Sequence, residues 1–257
     1  MEPTPHELHR RLRQGALRHA AWLALRDPLA AEAIARGGVD LVVFDMQHGA
    51  IEFGDLIGLL QAVQPFAPAL VRLPSVDPMA VTRALDLGAD GVVVPLVDSV
   101  DDARRAVAAA LYPPDGTRSY GPLRATVRHG AGYRERVAEH AAVIAMIETA
   151  NALACVEEIA AVAGLDGLFV GPADLGLALG VGPQTDGDDP TYLAARRRVV
   201  DAAHAHGLSV GLHGLDIDAQ RAALADGVDW VVVASDLTLL ATGVRDRLAA
   251  MRDDRVQ

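Results

Sequence analysis

The sequence predicts one domain over residues 1–257, folded as a single (β/α)8 TIM barrel in which parallel strands alternate with helices. The chain has 257 residues, a length that α/β barrels commonly reach. It is 51% hydrophobic but only 4% aromatic, so Ala, Val, Leu and Ile must build the core, as in a parallel sheet covered by Ala-rich helices. Short apolar runs alternate eight times with helical stretches. The same units could also form a doubly wound open sheet, but their number and the chain length favour the barrel.

Four of the strands follow a repeated turn, in which a Gly and one further residue precede an Asp and an apolar run. The Gly suits a helix C-terminus that needs a positive φ, and the next residues begin a strand. The four copies are GGVDLVVFD, LGADGVVVP, AGLDGLFVG and DGVDWVVVA. The other predicted strands are AAWLAL near residues 20–25, ALVRLP at 69–74, VIAMIE at 143–148 and SVGLHG at 209–214. Asp or Asp-Pro opens several of the helices between them.

Two segments, residues 112–140 and 180–192, are longer than this repeat requires. Long ordered insertions in compact folds are usually functional or interfacial, so we expect one of these roles for both.

Composition excludes several classes of function. A net charge of −11 and a pI near 5.2 argue against a nucleic-acid partner. No apolar run reaches the roughly 18 residues of a membrane span, and residues 1–22 lack the apolar core of a signal peptide, so a cytoplasmic enzyme without a membrane partner is expected. All 23 basic residues are Arg, and a Schiff base needs a Lys amine. Imine-forming chemistry, pyridoxal phosphate and a P-loop are therefore excluded.

Two carboxylates are predicted to meet at the carboxyl ends of successive strands. Glu148 closes the run VIAMIE, Asp174 follows the run GLFVGPAD, and one helical stretch lies between them. Both side chains then open into the same crevice, where a divalent cation is the most economical reason for two acids. The alternative is that one acid caps a helix and the other is a solvated loop residue.

Further polar residues fall at or near the strand ends, where barrel enzymes carry their catalytic groups. Arg72 lies within an apolar strand and needs an anionic partner, which could simply be Asp45 or Glu148. His48 is a candidate proton shuttle, or alternatively a satisfied core imidazole. Asp86 lies on a helix away from the strand ends, and the pattern alone predicts that it is solvated.

Together these residues predict a site for metal-assisted enolisation. A cation held by Glu148 and Asp174 would chelate a 2-oxo acid and act as a Lewis acid on the enolate formed when a carbon–carbon bond breaks. Arg72 would place a second positive charge on the enolate oxygen. The backbone amides of Ala173 and Asp174, at a helix start, suit the substrate carboxylate, and His48 would move the proton.

Six ordered segments resemble the HpcH/HpaI aldolase family of class II pyruvate aldolases. They are FDMQHG, VRLP, ALDLGADGVVVPLV, YPPDGTRSYGP, IETANAL and GLDGLFVGPADL, and they span about residues 20 to 240. The resemblance implies a barrel that assembles as a homohexamer, a trimer of dimers with C-terminal helices exchanged between paired subunits. It also implies reversible cleavage of 4-hydroxy-2-oxo acids to pyruvate, or a close 2-oxo acid, and an aldehyde.

The resemblance assigns roles residue by residue. Glu148 and Asp174 would hold Mg²⁺, Mn²⁺ or Co²⁺, and Arg72 would steady the enolate. His48 would be the base with Asp86 as its partner, which opposes the solvated position predicted above.

The remaining implied roles concern the substrate. Asp45 would lie near the aldehyde. Arg118 would contact residues that line the substrate site, or would reach the substrate site of a neighbouring subunit. The carboxylate of pyruvate would bind the turn formed by Gly171, Pro172, Ala173 and Asp174. Two residues depart from the family pattern: Gln47 replaces a frequent Glu, and Met146 replaces a common Gln, which makes the pocket more apolar.

Other functions stay open at this point. The same site could decarboxylate oxaloacetate or cleave a CoA thioester, although the acidic composition offers no obvious basic groove for CoA. A barrel that acts only in assembly would have no reason to retain Glu148, Asp174, Arg72 and His48.

Overall fold

The computed structural model describes residues 7–184, 187–214 and 216–253, and the strands within them form one closed parallel barrel. The strands are β1 (His19–Leu23), β2 (Leu41–Asp45), β3 (Ala69–Arg72), β4 (Gly91–Val94), β5 (Ala142–Ile147), β6 (Gly167–Val170), β7 (Ser209–His213) and β8 (Trp230–Ser235). Each strand pairs with its neighbours in sequence, and β8 closes the barrel against β1. The predicted (β/α)8 TIM barrel is therefore confirmed.

Helices connect the strands and cover the outside of the barrel. They are α1 (Glu7–Arg13), α2 (Pro28–Arg36), α3 (Leu56–Val63), α4 (Pro78–Asp86), α5 (Val100–Ala110), α6 (Leu123–His129), α7 (Val137–His140), α8 (Ala150–Ala154), α9 (Val156–Ala160), α10 (Pro172–Ala178), α11 (Pro190–Ala205), α12 (Ile217–Ala225) and α13 (Asp236–Asp253). Aspartate side chains cap α2, α4, α11 and α12, as the Asp-rich helix starts predicted. No helix of the described ranges is long and apolar enough to cross a membrane.

The two long segments differ in how much of them can be described. Residues 112–140 contain α6, the 3₁₀ helix Ala131–Arg136 and α7. In the segment 180–192, residues 185–186 lie outside the described residues.

The four Gly–X–Asp turns share one hydrogen-bond geometry. Their glycines, Gly38, Gly88, Gly164 and Gly227, have φ values from 91° to 97°, so the predicted positive φ is confirmed. Each Asp then accepts a hydrogen bond of 2.7–3.0 Å from an amide at the start of the preceding strand: Asp40 from His19, Asp90 from Ala69, Asp166 from Val143 and Asp229 from Val210. These turns tie neighbouring strands together at the amino ends of the barrel, opposite the predicted site.

Apolar side chains fill the inside of the barrel. Leu8 and Leu12 of α1 belong to the same buried cluster as the inward-facing strand residues, so α1 covers the amino-terminal end. At the carboxyl-terminal end of the barrel, the last members of the cluster are Trp22, Met146 and Phe169. The rings of Trp22 and Phe169 stack with centroids 5.3 Å apart. These three side chains form the floor of the carboxyl-terminal cavity.

Several strands end one or two residues earlier than predicted, which defines where the polar residues lie relative to the strand ends. Asp45 is the last residue of β2, Arg72 is the last residue of β3, and Glu148 directly follows β5. All three therefore lie at the carboxyl ends of the strands, where the sequence predicted them.

Candidate active site at the carboxyl ends of the strands

A cavity of about 210 Å³ opens at the carboxyl ends of the strands. It is lined by Trp22, His48, Arg72, Met146, Phe169, Gly171, Pro172, Ala173, Asp174 and His213. The barrel thus brings His48, Arg72 and the whole turn 171–174 into one concave surface. A larger groove of about 710 Å³ lies on the outside, along α5 and α9, and none of the predicted site residues lines it.

Asp45 organises one side of this cavity. Its carboxylate accepts hydrogen bonds from Nε and Nη2 of Arg72, at 2.9 and 2.5 Å, and from Nε1 of Trp22 at 3.1 Å. It also accepts the backbone amides of Gln47 and His48. Burial alone would raise the pKa of Asp45, but the bonds from Arg72 and the other donors outweigh it and hold that pKa below its ordinary value. Asp45 is therefore an ionised anchor for both Arg72 and the loop that carries His48.

Arg72 pairs with Asp45, which is one of the two partners considered from the sequence. Arg72 is 7% exposed, and its guanidinium stacks over the Trp22 ring, 4.8 Å from the ring centroid. Nε and Nη2 bond Asp45, so Nη1 is the nitrogen that this ion pair leaves for other contacts. A buried, fixed cation of this kind can stabilise negative charge that develops in the cavity.

Glu148 presents a carboxylate oxygen that the chain does not satisfy. The residue is 1% exposed, and its Oε1 accepts the backbone amide of Leu96 at 2.7 Å. Its Oε2 is buried and has no hydrogen-bond partner within the described part of the chain. Burial, and next the neighbouring Asp174 carboxylate, raise the pKa of Glu148 more than the Leu96 amide and Arg72 lower it. This buried acid lacks the countercharge that Asp45 has.

Glu148 and Asp174 are suited to bind a divalent cation. Asp174 is exposed in the first turn of α10, beside the cavity, and both side chains offer the hard oxygen atoms that Mg²⁺ and Mn²⁺ prefer. The described residues contain no group of three or more His, Cys, Asp or Glu that could hold a metal. A cation here would therefore take two carboxylates from the chain and its other ligands from water and substrate, as Mg²⁺ commonly does.

Two histidines line the cavity in different surroundings. His48 is exposed, and its position is set by the bond from its backbone amide to Asp45. His213 at the end of β7 packs edge-on against Trp22, with centroids 5.3 Å apart. Burial, helped by the nearby Arg72 cation, lowers the pKa of His213 to about 4, so its imidazole is neutral at neutral pH. His48 is thus the imidazole with open access to a bound substrate.

Asp86 is buried, and the prediction that it is solvated was wrong. It is 8% exposed, and its Oδ1 accepts a hydrogen bond of 2.8 Å from Nη2 of Arg118. Burial raises the pKa of Asp86 even though Arg118 opposes the change. The prediction failed because the segment 112–140 supplies Arg118 and covers this part of α4, a contact that helical periodicity does not reveal.

Arg118 itself is enclosed within the chain. It is 2% exposed, donates to the hydroxyl of Tyr133 at 3.0 Å and lies over the Tyr112 ring. Among the described residues, neither Asp86 nor Arg118 lines the cavity, and no hydrogen bond joins Asp86 to His48. The roles that the resemblance gives to these two residues stay predictions.

Comparison with known proteins assigns the chain to one family. The family model for HpcH/HpaI aldolase/citrate lyase matches residues 18–242. The chain belongs to this family. Within it, aldolases generally depend on a divalent metal.

Three relatives illustrate the match. A hydroxypyruvate/pyruvate aldolase of Rhizorhabdus wittichii is 40% identical over 91% of this chain and 93% of that protein. A 2-dehydro-3,6-dideoxy-6-sulfogluconate aldolase of Pseudomonas putida is 37% identical over 90% of this chain and 91% of its own length. The crystal structure of an HpcH/HpaI family protein from Burkholderia cenocepacia is 35% identical, with a TM-score of 0.89 over 96% of this chain and 99% of that one. These relatives support an aldolase of the class II pyruvate type, which is a carbon–carbon lyase.

Sequence reasoning missed three contributors to the site. Trp22 and Phe169 look like ordinary strand residues in the sequence. Their inward orientation follows from the alternation of side chains along a strand, but their position along the barrel axis does not follow from it. Leu96 contributes through its backbone amide, and an amide leaves no signal in a sequence of side chains.

Proposed function

We propose that this chain is a divalent-metal-dependent aldolase that reversibly cleaves 4-hydroxy-2-oxo acids to pyruvate, or a close 2-oxo acid, and an aldehyde. The observation that carries the proposal is the unsatisfied Oε2 of buried Glu148, beside Asp174, in the same site as the fixed Arg72 cation. Mg²⁺, Mn²⁺ or Co²⁺ held by the two carboxylates would supply Lewis-acid stabilisation of negative charge on the keto oxygen of the donor.

Arg72 supplies the second positive charge toward that oxygen. Its bidentate bond to Asp45 and the Trp22 ring beneath it fix the guanidinium before any substrate arrives. Because the guanidinium of Arg72 is already oriented, little reorganisation of the protein is needed when negative charge develops on the keto oxygen. This is the condition for effective electrostatic catalysis.

His48 moves the proton. In the cleavage direction it takes the proton of the 4-hydroxyl as the bond between C3 and C4 breaks, and in the synthetic direction it returns that proton to the new alkoxide. Its exposed position on the cavity and the anchoring of its amide by Asp45 support this role.

The turn 171–174 binds the carboxylate of the 2-oxo acid. Gly171 precedes α10 without a capping side chain, so the amides of Ala173 and Asp174 in the first turn remain for a ligand. This arrangement would hold the donor with its keto oxygen toward Arg72.

Metal dependence is the decisive test. The purified chain, treated with EDTA, is expected to lose about a hundredfold or more of its aldol activity with pyruvate and a panel of aldehydes. Mg²⁺, Mn²⁺ or Co²⁺ should restore that activity. Activity that survives chelation unchanged would remove the two-carboxylate site from the mechanism. Oxaloacetate decarboxylation, measured in parallel, would replace the aldol reaction as the function if it alone responds to metal.

Arg72→Lys is expected to lower kcat/KM by about a hundredfold or more, because Lys keeps the charge but not the fork that binds Asp45 in two places. The matched control is Arg198→Lys, since Arg198 makes the same bidentate bond to Glu157 on the exposed surface. Steady-state kinetics with saturating metal should separate the two variants. Equal rates in both would exclude Arg72 from the reaction.

We further propose that the chain forms a homo-oligomer through α13, a homohexamer built as a trimer of dimers with α13 exchanged between paired subunits. Within the described part of α13, no residue after Asp236 is buried. Apolar residues nevertheless recur there at helical spacing on one face: Leu237, Leu240, Val244, Leu248 and Met251, each at least 50% exposed. A second copy of this chain is the partner that would cover that face.

A further inference from the structure

The loop after β4 contains the only non-glycine residue with a positive φ among the residues the structure describes. Leu96 has a φ of 52°, in the left-handed region that branched and bulky side chains rarely adopt. Its side chain is 47% exposed, so burial of the leucine does not explain the conformation. Strain of this kind persists where surrounding contacts hold it, and such contacts cluster at functional sites.

The loop that carries Leu96 is hydrogen-bonded to Glu148 and to the residue that follows Glu148. The Leu96 amide donates to Oε1 of Glu148 at 2.7 Å. The hydroxyl of Thr149, one residue after Glu148, donates to the carboxylate of Asp98, two residues after Leu96. The loop after β4 is therefore fastened to the loop after β5 at two adjacent points.

These contacts determine which carboxylate oxygen of Glu148 is already hydrogen-bonded within the chain. Oε1 is held by the Leu96 amide, whereas Oε2 is buried without a hydrogen-bond partner in the described chain. Oε2 also lies 2.8 Å from the point where a Cβ on Gly171 would sit, and Gly171 lines the cavity. The unsatisfied oxygen is thus the one beside the cavity wall.

We propose that Leu96 is a positioning residue, whose left-handed backbone amide fixes the Glu148 carboxylate so that Oε2 is the oxygen offered to the cation. The inference rests on the proposed function, because it takes a divalent metal as the ligand. The role belongs to the backbone of Leu96, and the leucine side chain is dispensable for it.

Two substitutions separate backbone conformation from side chain. Leu96→Gly keeps the amide and adopts a positive φ without strain, so its Mn²⁺ affinity should stay within about threefold of the unmodified chain. Leu96→Val keeps the amide but disfavours this φ, and it should bind Mn²⁺ about tenfold more weakly. Titration calorimetry of the metal-free protein measures both affinities without relying on turnover.

Replacing Leu96 by leucic acid, its α-hydroxy analogue, tests the amide directly because an ester oxygen cannot donate. The dissociation constant for Mn²⁺ should rise by about ten- to a hundredfold. The matched control is leucic acid at Leu29, whose amide donates to the Asp27 carboxylate at 2.9 Å at the exposed start of α2. This ester should leave Mn²⁺ affinity unchanged. The thermal midpoint in EDTA checks that each protein is folded.

The outcomes distinguish this inference from the proposed function. If the unmodified chain binds Mn²⁺ and shows metal-dependent aldol activity, but the ester at position 96 binds Mn²⁺ equally well, the positioning role is wrong and the function stands. Loss of affinity in Leu96→Gly as large as in Leu96→Val would assign the effect to the side chain and also overturn the inference. An unmodified chain that binds no Mn²⁺ would overturn both.

Discussion

Asp45 and Glu148 are buried carboxylates at strand ends of the same barrel, yet their electrostatic surroundings are opposite. Asp45 receives bonds from Arg72, Trp22 and two backbone amides, and its pKa is lowered although burial alone would raise it. Glu148 receives one amide, and burial raises its pKa. A carboxylate whose charge is compensated within the chain holds its neighbours in place. One that is not compensated can bind a cation from solution.

Glu148→Gln is expected to stabilise the metal-free protein at neutral pH. The raised pKa of Glu148 means that folding favours its protonated form, so its contribution to stability is fully present below the ordinary value of 4.5 and is lost as pH rises through the folded value. Gln imitates the protonated acid at every pH. The thermal midpoint in EDTA should therefore favour the variant increasingly as the pH rises above 4.5.

Glu158→Gln, at an exposed position of α9, controls for the removal of one negative charge. Added Mn²⁺ should raise the midpoint of the unmodified protein and not that of Glu148→Gln. A Glu148→Gln variant no more stable than Glu158→Gln at pH 8 would contradict the prediction.

The apolar floor of the cavity predicts a preference for pyruvate over hydroxypyruvate as donor. Against Trp22, Met146 and Phe169, a donor hydroxyl would lose water without gaining a hydrogen bond, at about 1–3 kcal/mol. Met146→Gln supplies an amide and should lower the ratio of kcat/KM for pyruvate to that for hydroxypyruvate by about tenfold. Met79→Gln, at a position 67% exposed on α4, is the control, and an unchanged ratio in Met146→Gln would exclude the floor from donor selection.

At the scale of elements, the four Gly–X–Asp turns support the barrel from its amino ends. At Gly38 a Cβ would meet nothing within 4 Å, so Gly38→Ala isolates the effect of its φ of 94°. The substitution should lower the free energy of unfolding by about 1–2 kcal/mol. Gly54→Ala has equally open space without a positive φ, and it should change stability by less than about 0.5 kcal/mol. Urea denaturation compares the two, and equal losses would show that the turn conformation is not the cause.

These turns and the strand ends are also the elements that the sequence predicts best, because their physical requirements are local. A glycine with positive φ and the Asp two residues later leave a repeated pattern, and apolar runs mark where Glu148 and Arg72 emerge. The burial of Asp86 by Arg118 and the left-handed backbone of Leu96 depend on segments that meet only after folding. No periodicity within one element carries that information.

At the scale of the whole molecule, the two ends of the barrel serve different purposes. The amino end is covered by α1 and fastened by the Asp turns, so its residues contribute to stability. The carboxyl end carries the carboxylates, Arg72 and the cavity, so its loops can determine chemistry without weakening the core. The exposed apolar face of α13 is the part of the described molecule that this division does not explain.

That face predicts self-association, which two glutamates should disrupt. Leu240 and Leu248 are 59% and 50% exposed on the apolar stripe of α13, and charges there would have to be buried in any interface that covers the stripe. The double variant Leu240→Glu with Leu248→Glu should sediment as a smaller species than the unmodified chain. Thr242→Glu with Ala249→Glu adds the same charges on the opposite side of the helix and should leave the sedimentation coefficient unchanged. If the unmodified chain sediments as a monomer, or if both pairs of variants behave alike, α13 is not the contact between copies.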